Sequence, residues 1–291
     1  MVTLPAADIR RLVREGLQED LGNGDVTTAA LFTSAVAARG TIIAKEPLVV
    51  AGMAAAVQSF LAVDTSLFLS VLIGDGGRAN AGDVLMQLQG DGRSMLMAER
   101  VALNFLQHLS GIATLTRRFC QAVQEFPAVI LDTRKTLPGW RALQKWAVSL
   151  GGGLNHRLSL EDGILIKDNH LALLNRTRRT VKAACRLAHL RSPTDMPIIV
   201  EVETLPEVKQ ALAAQADVIL LDNMSVNMVK RAVALIRGRA LVEVSGGISL
   251  TNVRAMAAAG ADRISIGALT HSASAADVSL ELTRVRSRRR R

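Results

Sequence analysis

Ala128-Val129-Ile130-Leu131-Asp132-Thr133-Arg134-Lys135-Thr136-Leu137 decides how this chain is read. Its four opening apolar residues have the length and composition of a buried parallel strand, which leaves Arg134 and Lys135 just past the carboxyl end. Barrels and open α/β sheets bind their ligands at that end. Two adjacent cations there are costly unless an anion comes between them.

Working outward, similar β-rich runs recur at 163–166, 198–202, 218–221, 241–244 and 263–266. Stretches with helical periodicity lie at 141–149, 177–189, 205–214, 227–237 and 250–259. Six parallel strands with crossover helices predict an incomplete, six- or seven-stranded α/β barrel over 113–271. A doubly wound open sheet is the alternative, but the Gly-rich phosphate turn it places after its first strand is missing.

The region before residue 113 has another texture and predicts an N-terminal α/β sandwich domain. A helix over 4–21 stops at Gly22-Asn23-Gly24, and Asp25 or Thr27 caps a short helix after it. Strand-like runs come next at 40–44, 48–51, 68–73 and 84–88. An amphipathic helix over 98–119 then carries Val101, Phe105, Leu109, Ile112 and Phe119 on one face, with Arg100, Asn104 and Gln107 on another.

Bulk properties exclude several classes. At 291 residues and 49% apolar composition the chain can bury a large core. No run reaches the roughly 18–20 apolar residues of a membrane span. No apolar signal core opens the sequence, and Cys120 and Cys185 are isolated, so a reducing cytoplasm is expected. The net charge of +9 falls to +4 without Arg286 and Arg288 to Arg291, a run expected to be a disordered tail over 286–291. Tyr is absent and Phe and Trp total eight, so no aromatic platform supports specific nucleic-acid binding.

The polar residues just past each strand turn the pattern into a site. Arg134 and Lys135 succeed the first; Asn155, His156 and Arg157 come after the Gly151-Gly152-Gly153 loop; Lys167, Asp168, Asn169 and His170 succeed the next strand. Then come Glu201 and Glu203, Asp222-Asn223, Ser245-Gly246-Gly247 and Gly267-Ala268. In a barrel all of these meet at one mouth. Arg offers a planar fork and Lys a point charge to carboxylate or phosphate. Glycine turns after late strands make phosphate cradles. Glu201 and Asp222 suit ribose hydroxyls or Mg²⁺. Singly, each residue could be a solvated charge, a turn or a counter-ion. Together they describe a sugar phosphate beside a second multi-anionic ligand.

At these residues the chain closely resembles the quinolinate phosphoribosyltransferase family. The resemblance is carried by Glu19 to Thr28, Glu99 to Leu106, Ser110 to Thr114, Asp132 to Gly139, Gly151 to Arg157, Ile166 to His170, Glu201-Val202-Glu203, Leu221-Asp222-Asn223, Ser245 to Ile248 and Ser265 to Leu269. Trp140, Trp146 and Asp91-Gly92-Arg93 depart from the family pattern outside the site, and the arginine tail lies beyond it.

The resemblance implies a sandwich domain over 1–112, rejoined by a C-terminal helix over 272–285, beside the barrel. It implies a homodimer in which Arg100 reaches the neighbouring subunit's site. The implied reaction joins quinolinate to 5-phosphoribosyl 1-pyrophosphate with loss of CO₂, with Mg²⁺ as cofactor. On this analogy Arg100, Thr133, Arg134, His156, Arg157 and Lys167 hold the dicarboxylate. Lys135 sits beside the pyrophosphate, and Lys167 borders this second substrate too. Glu201 and Asp222 position the ribose and the metal, directly or through water. Ser245, Gly246, Gly247, Ile266, Gly267 and Ala268 take the 5-phosphate. Lys135, Glu201 and Asp222 are the catalytic set. Three other readings stay open: a transferase for another heterocyclic acid, a sugar-phosphate lyase, and a polyanion binder working through the tail.

Overall fold

The computed structural model of the chain describes residues 4–174, 180–192 and 196–285. The arginine tail, and the first turn of the helix expected from 177, lie outside these residues. In chain order the elements are α1 (Ala6–Leu21), α2 (Val26–Leu31), β1 (Ala37–Ala44), β2 (Leu48–Val49), α3 (Met53–Val63), β3 (Phe68–Val71), β4 (Arg78–Ala79), β5 (Val84–Asp91) and α4 (Gly92–Val123). Next are β6 (Val129–Leu131), α5 (Arg141–Leu150), β7 (Ile164–Ile166), α6 (Asp168–Leu173), α7 (Val181–Arg191), β8 (Ile198–Val202), α8 (Leu205–Ala213) and β9 (Val218–Asp222). The last are α9 (Val226–Ile236), β10 (Leu241–Ser245), α10 (Val253–Ala258), β11 (Arg263–Ser265), α11 (Ala268–His271) and β12 (Val278–Arg284).

These fall into two compact units. The first comprises Met1–Arg117, Thr136–Gly152 and Leu269–Arg291, and the second Arg118–Lys135 and Gly153–Ala268. This division departs from the break expected at 112/113. Helix α4 runs unbroken to Val123, and α5 belongs to the first unit. Local contacts explain the placing of α5: Trp140 stacks on Phe105 at 4.9 Å, and Gln144 donates to the Thr270 carbonyl at 3.1 Å.

In the first unit, Asp25 rather than Thr27 caps α2, its side chain accepting the Thr28 N–H at 2.9 Å. An antiparallel sheet in the order β12-β1-β5-β3 encloses a core that includes Ile42, Phe60, Leu85, Met86 and Leu106. The expected C-terminal helix over 272–285 is instead the edge strand β12, paired with β1 from Ala44↔Val278 to Ala38↔Arg284. The residues account for it. Val278, Leu280 and Leu282 alternate with Ser279, Glu281 and Thr283, and that period of two suits a strand with one buried face.

The second unit is a parallel sheet in the order β6-β11-β10-β9-β8-β7. The order runs with the sequence without reversal except that the last strand, β11, pairs with the first, β6. That is the connectivity of a barrel, and a doubly wound sheet would reverse midway. Strands β6 and β7 are not neighbours, so the ring has six strands and one open seam. Leu154 forms a parallel bridge to Leu131 on the β6 side of the seam. Leu165, Ile199, Val218 and Leu220 pack together on adjacent strands.

Among the described residues no helix is long and apolar enough to cross a membrane. Cys185 is buried, and desolvation pushes its thiol up to about 11, as suits a small core hydrophobe.

Candidate active site

Parallel pairing of the strands brings all their carboxyl ends to one side, and there the second unit opens a cavity of about 500 Å³. Of the residues expected at the mouth, Thr133, Arg134, Lys135, His156, Arg157, Lys167, Glu201, Asp222, Ser245, Gly246 and Gly247 line it. Asn223, also expected at a strand end, lines it too, and Leu165, Leu220, Glu243 and Ser265 join them without having been expected. Arg100 lies on an exposed face of α4 in the first unit and does not line the cavity.

Asp132 organises the early side. It directly follows the first barrel strand with its side chain fully buried, its Oδ1 accepting the His156 N–H at 2.8 Å and its Oδ2 the Asn155 amide at 2.6 Å. These bonds fasten the segment after the glycine loop beside Arg134. Thr133 accepts the Lys135 N–H at 3.0 Å, shaping the turn that carries both cations. Arg157 is held by its own contact to the Gly163 carbonyl at 2.9 Å. Burial first, then the like charge of Arg134, depresses the Arg157 guanidinium below its ordinary range, while Asp162 and Glu243 oppose the shift. Two arginines that repel each other in a half-buried site are arranged for an anion.

His156 lines the mouth as expected, and its ring is also held within the protein. Its Nδ1 accepts the Arg157 N–H at 2.8 Å, and its Nε2 lies 3.1 Å from Glu243 Oε1. Through these contacts the ring supports the Arg157 backbone. In the middle of the mouth, Lys167 Nζ meets Glu201 Oε2 at 2.5 Å. Asn223 donates to Asp222 Oδ2 at 2.8 Å from a left-handed backbone conformation, φ 52°. His170 accepts the Lys167 N–H at 2.9 Å and so serves the start of α6.

On the late side, Gly246 and Gly247 both have positive φ, 86° and 60°. A Cβ at Gly246 would lie 2.3 Å from Asn223 Oδ1, whereas one at Gly247 would meet nothing within 4 Å. The turn is therefore closed below and open above, as a ligand cradle requires. The second cradle, Ile266 to Ala268, is less available. The Ile266 N–H already donates to the Leu131 carbonyl at 2.9 Å, and Ile266 to Ala268 do not line the cavity.

Sequence reasoning missed Asp132, Glu243 and Ser265 as parts of the site. A signal existed for Glu243, a carboxylate interrupting the apolar run Leu241-Val242-Glu243-Val244. No group of three or more metal-ligating side chains occurs among the described residues. Glu201 and Asp222, on adjacent strands, still fit Mg²⁺, which takes one or two carboxylates and completes its shell with water and substrate phosphates.

Comparisons with known proteins agree with this geometry. The model of the quinolinate phosphoribosyl transferase C-terminal domain matches residues 112–281, and that of the N-terminal domain residues 25–110. A chloroplastic nicotinate-nucleotide pyrophosphorylase (carboxylating) of Oryza sativa subsp. japonica is 40% identical over 294 residues, covering 96% of this chain and 78% of the relative. A probable enzyme of the same name from Bacillus subtilis is 38% identical, covering 94% and 93%. The solved nicotinate-nucleotide pyrophosphorylase of Francisella tularensis superposes with a TM-score of 0.90 at 37% identity, covering 97% of this chain and 98% of that one.

Proposed function

The chain belongs to the quinolinate phosphoribosyltransferase family, and on that premise we propose how its mouth divides two substrates between its residues. The reaction transfers the phosphoribosyl group of 5-phosphoribosyl 1-pyrophosphate to quinolinate, with decarboxylation, in NAD biosynthesis. Its products are nicotinate mononucleotide, pyrophosphate and CO₂.

Arg134, Arg157 and Lys167, with Thr133, hold the two carboxylates of quinolinate, and Leu165 and Leu220 give its ring an apolar floor. Lys135 lies beside the pyrophosphate. Glu201 and Asp222 orient the ribose and favour positive charge developing at its anomeric carbon. Ser245 to Gly247 cradle the 5-phosphate, with Gly267 and Ala268 as its further border. Glu201 and Asp222 would hold Mg²⁺ together with the substrate's pyrophosphate, and the ion would supply charge neutralisation at the leaving group. The pyridine nitrogen is the nucleophile, so the protein contributes positioning and preorganised charge. His156 works through Arg157.

The observation that carries this reading is the convergence of Arg134, Arg157 and Lys167 with Glu201, Asp222 and the Ser245 to Gly247 turn around one cavity. A homodimer with shared sites accounts for Arg100, which is exposed on α4 and absent from the lining. The cytoplasm is the compartment in which we place it, since the two cysteines stand isolated in the sequence with no metal spacing or partner motif.

The deciding assay supplies quinolinate, phosphoribosyl pyrophosphate and Mg²⁺ and monitors CO₂ and nicotinate mononucleotide. Their absence would refute the assignment, and equal turnover of a pyridine monocarboxylate would refute the dicarboxylate pocket. Mixing Arg100→Ala with Lys167→Ala subunits should restore activity that neither variant has. No recovery would argue against a shared site.

A further inference from the structure

Beneath the cations of the mouth lies a third carboxylate to which the division of substrates gives no part. Glu243, at the middle of β10, is fully buried and lines the same cavity as Arg134 and Arg157. Its Oε1 lies 3.1 Å from His156 Nε2 and also accepts from the Ser265 hydroxyl, while Oε2 has no hydrogen-bond partner. Because His156 Nδ1 accepts the Arg157 N–H, the neutral ring carries its proton on Nε2 and donates it to Glu243. One hydrogen-bonded line thus runs from the Arg157 backbone through His156 and Glu243 to Ser265. A second link is electrostatic, since the charge of Glu243 offsets the repulsion Arg157 feels from Arg134.

We propose that Glu243 is a positioning residue that sets the net charge of the dicarboxylate pocket, so that the arginines can stand together without gripping the departing carboxylate too firmly. The inference rests on quinolinate being the substrate. During decarboxylation the bond between ring carbon 2 and its carboxylate breaks, CO₂ leaves neutral, and the electron pair stays on carbon 2. That carbon then takes a proton from water, leaving hydroxide. In the transition state the negative charge moves off the carboxylate oxygens to carbon 2, beside the cationic ring nitrogen, so surplus positive charge around those oxygens stabilises the ground state more than the transition state. A fixed anion below the guanidiniums weakens ground-state binding and speeds release. A scaffold role alone would have the opposite signature, because losing a scaffold weakens binding.

Glu243→Gln separates the two, since it keeps the shape and an oxygen for His156 and Ser265 while removing the charge. Expected are a quinolinate KM lowered by about three- to tenfold, the scale of one screened charge interaction, and a kcat lowered by a similar factor. Single-turnover CO₂ release should slow in parallel, and the KM for phosphoribosyl pyrophosphate should stay within about twofold. An unchanged or raised quinolinate KM would overturn the proposal. Should that variant not fold, Glu243→Asp decides: it keeps the charge but loses reach to His156, so its quinolinate KM should stay within about twofold of the wild type. A several-fold rise in KM would mark a scaffold role and overturn the proposal. Failure of the unsubstituted enzyme to convert quinolinate would refute the substrate assignment instead, so the two failures are distinguishable.

Discussion

Lys167 Nζ lies 2.5 Å from Glu201 Oε2, so the cation at the end of β7 is held by the carboxylate at the end of β8. The lysine is 43% exposed and the glutamate 13%, so an incoming anion meets the lysine first and must compete with its partner. Lys167→Met should lower kcat/KM by roughly two to four orders of magnitude, as for loss of one partner of a desolvated charge pair. Glu201→Gln should cost a similar amount. Because each single change strands the other residue, the double variant should lose clearly less than the sum. A double-mutant cycle on kcat/KM tests this, and strict additivity would mean the pair acts as two independent groups.

Asp132→Ala removes the buried acceptor for the His156 N–H and the Asn155 amide. Urea unfolding should show a loss of about 2–4 kcal/mol, and Asp132→Asn about 1–3, since one amide must then face another. Arg157 is carried by the same segment, so both variants should also raise the quinolinate KM.

The two glycines of the late turn should respond unequally. Gly246→Ala brings a methyl onto the Asn223 amide at positive φ, whereas Gly247→Ala meets open space and bears backbone strain alone. We expect about 2–4 kcal/mol of destabilisation for the first and about 1 for the second. Equal melting temperatures would contradict the packing described.

Asp75 supplies a pH test in the first unit. It accepts the Met53 and Ala54 N–H groups at 2.9 and 3.1 Å, yet burial raises its carboxyl above the usual range against those bonds. A raised folded value means that the folded state binds the proton more tightly. Stability from this group therefore falls as pH rises from about 3.9, the unfolded value, through the raised one. The stability of Asp75→Asn minus that of the wild type should therefore increase across that window. A difference independent of pH would show that the group is not shifted.

The barrel was legible in the sequence because its signals are local. Each strand is a short apolar run and each of these mouth residues stands at or just past the end of one, so Arg134, Lys167, Glu201 and Asp222 could be placed by counting. Contacts between distant segments were not legible. His156 and Glu243 lie far apart in the chain, and nothing near either announces the other. Gly246 and Asn223 likewise belong to turns after different strands. At 278–284 the period-two alternation was present in the sequence, but the expectation of a helix came from resemblance, and the pairing with β1 prevailed.

That pairing bears on how the chain is made. Strand β1 ends at Ala44, and its partner β12 begins at Val278, so more than two hundred residues leave the ribosome between them. The barrel strands, all made within that interval, can pair before the first sheet has its fourth strand. The unit begun first is thus completed last, and until Val278–Arg284 emerge, the β1 edge of the nascent sheet is unpaired and open to other chains.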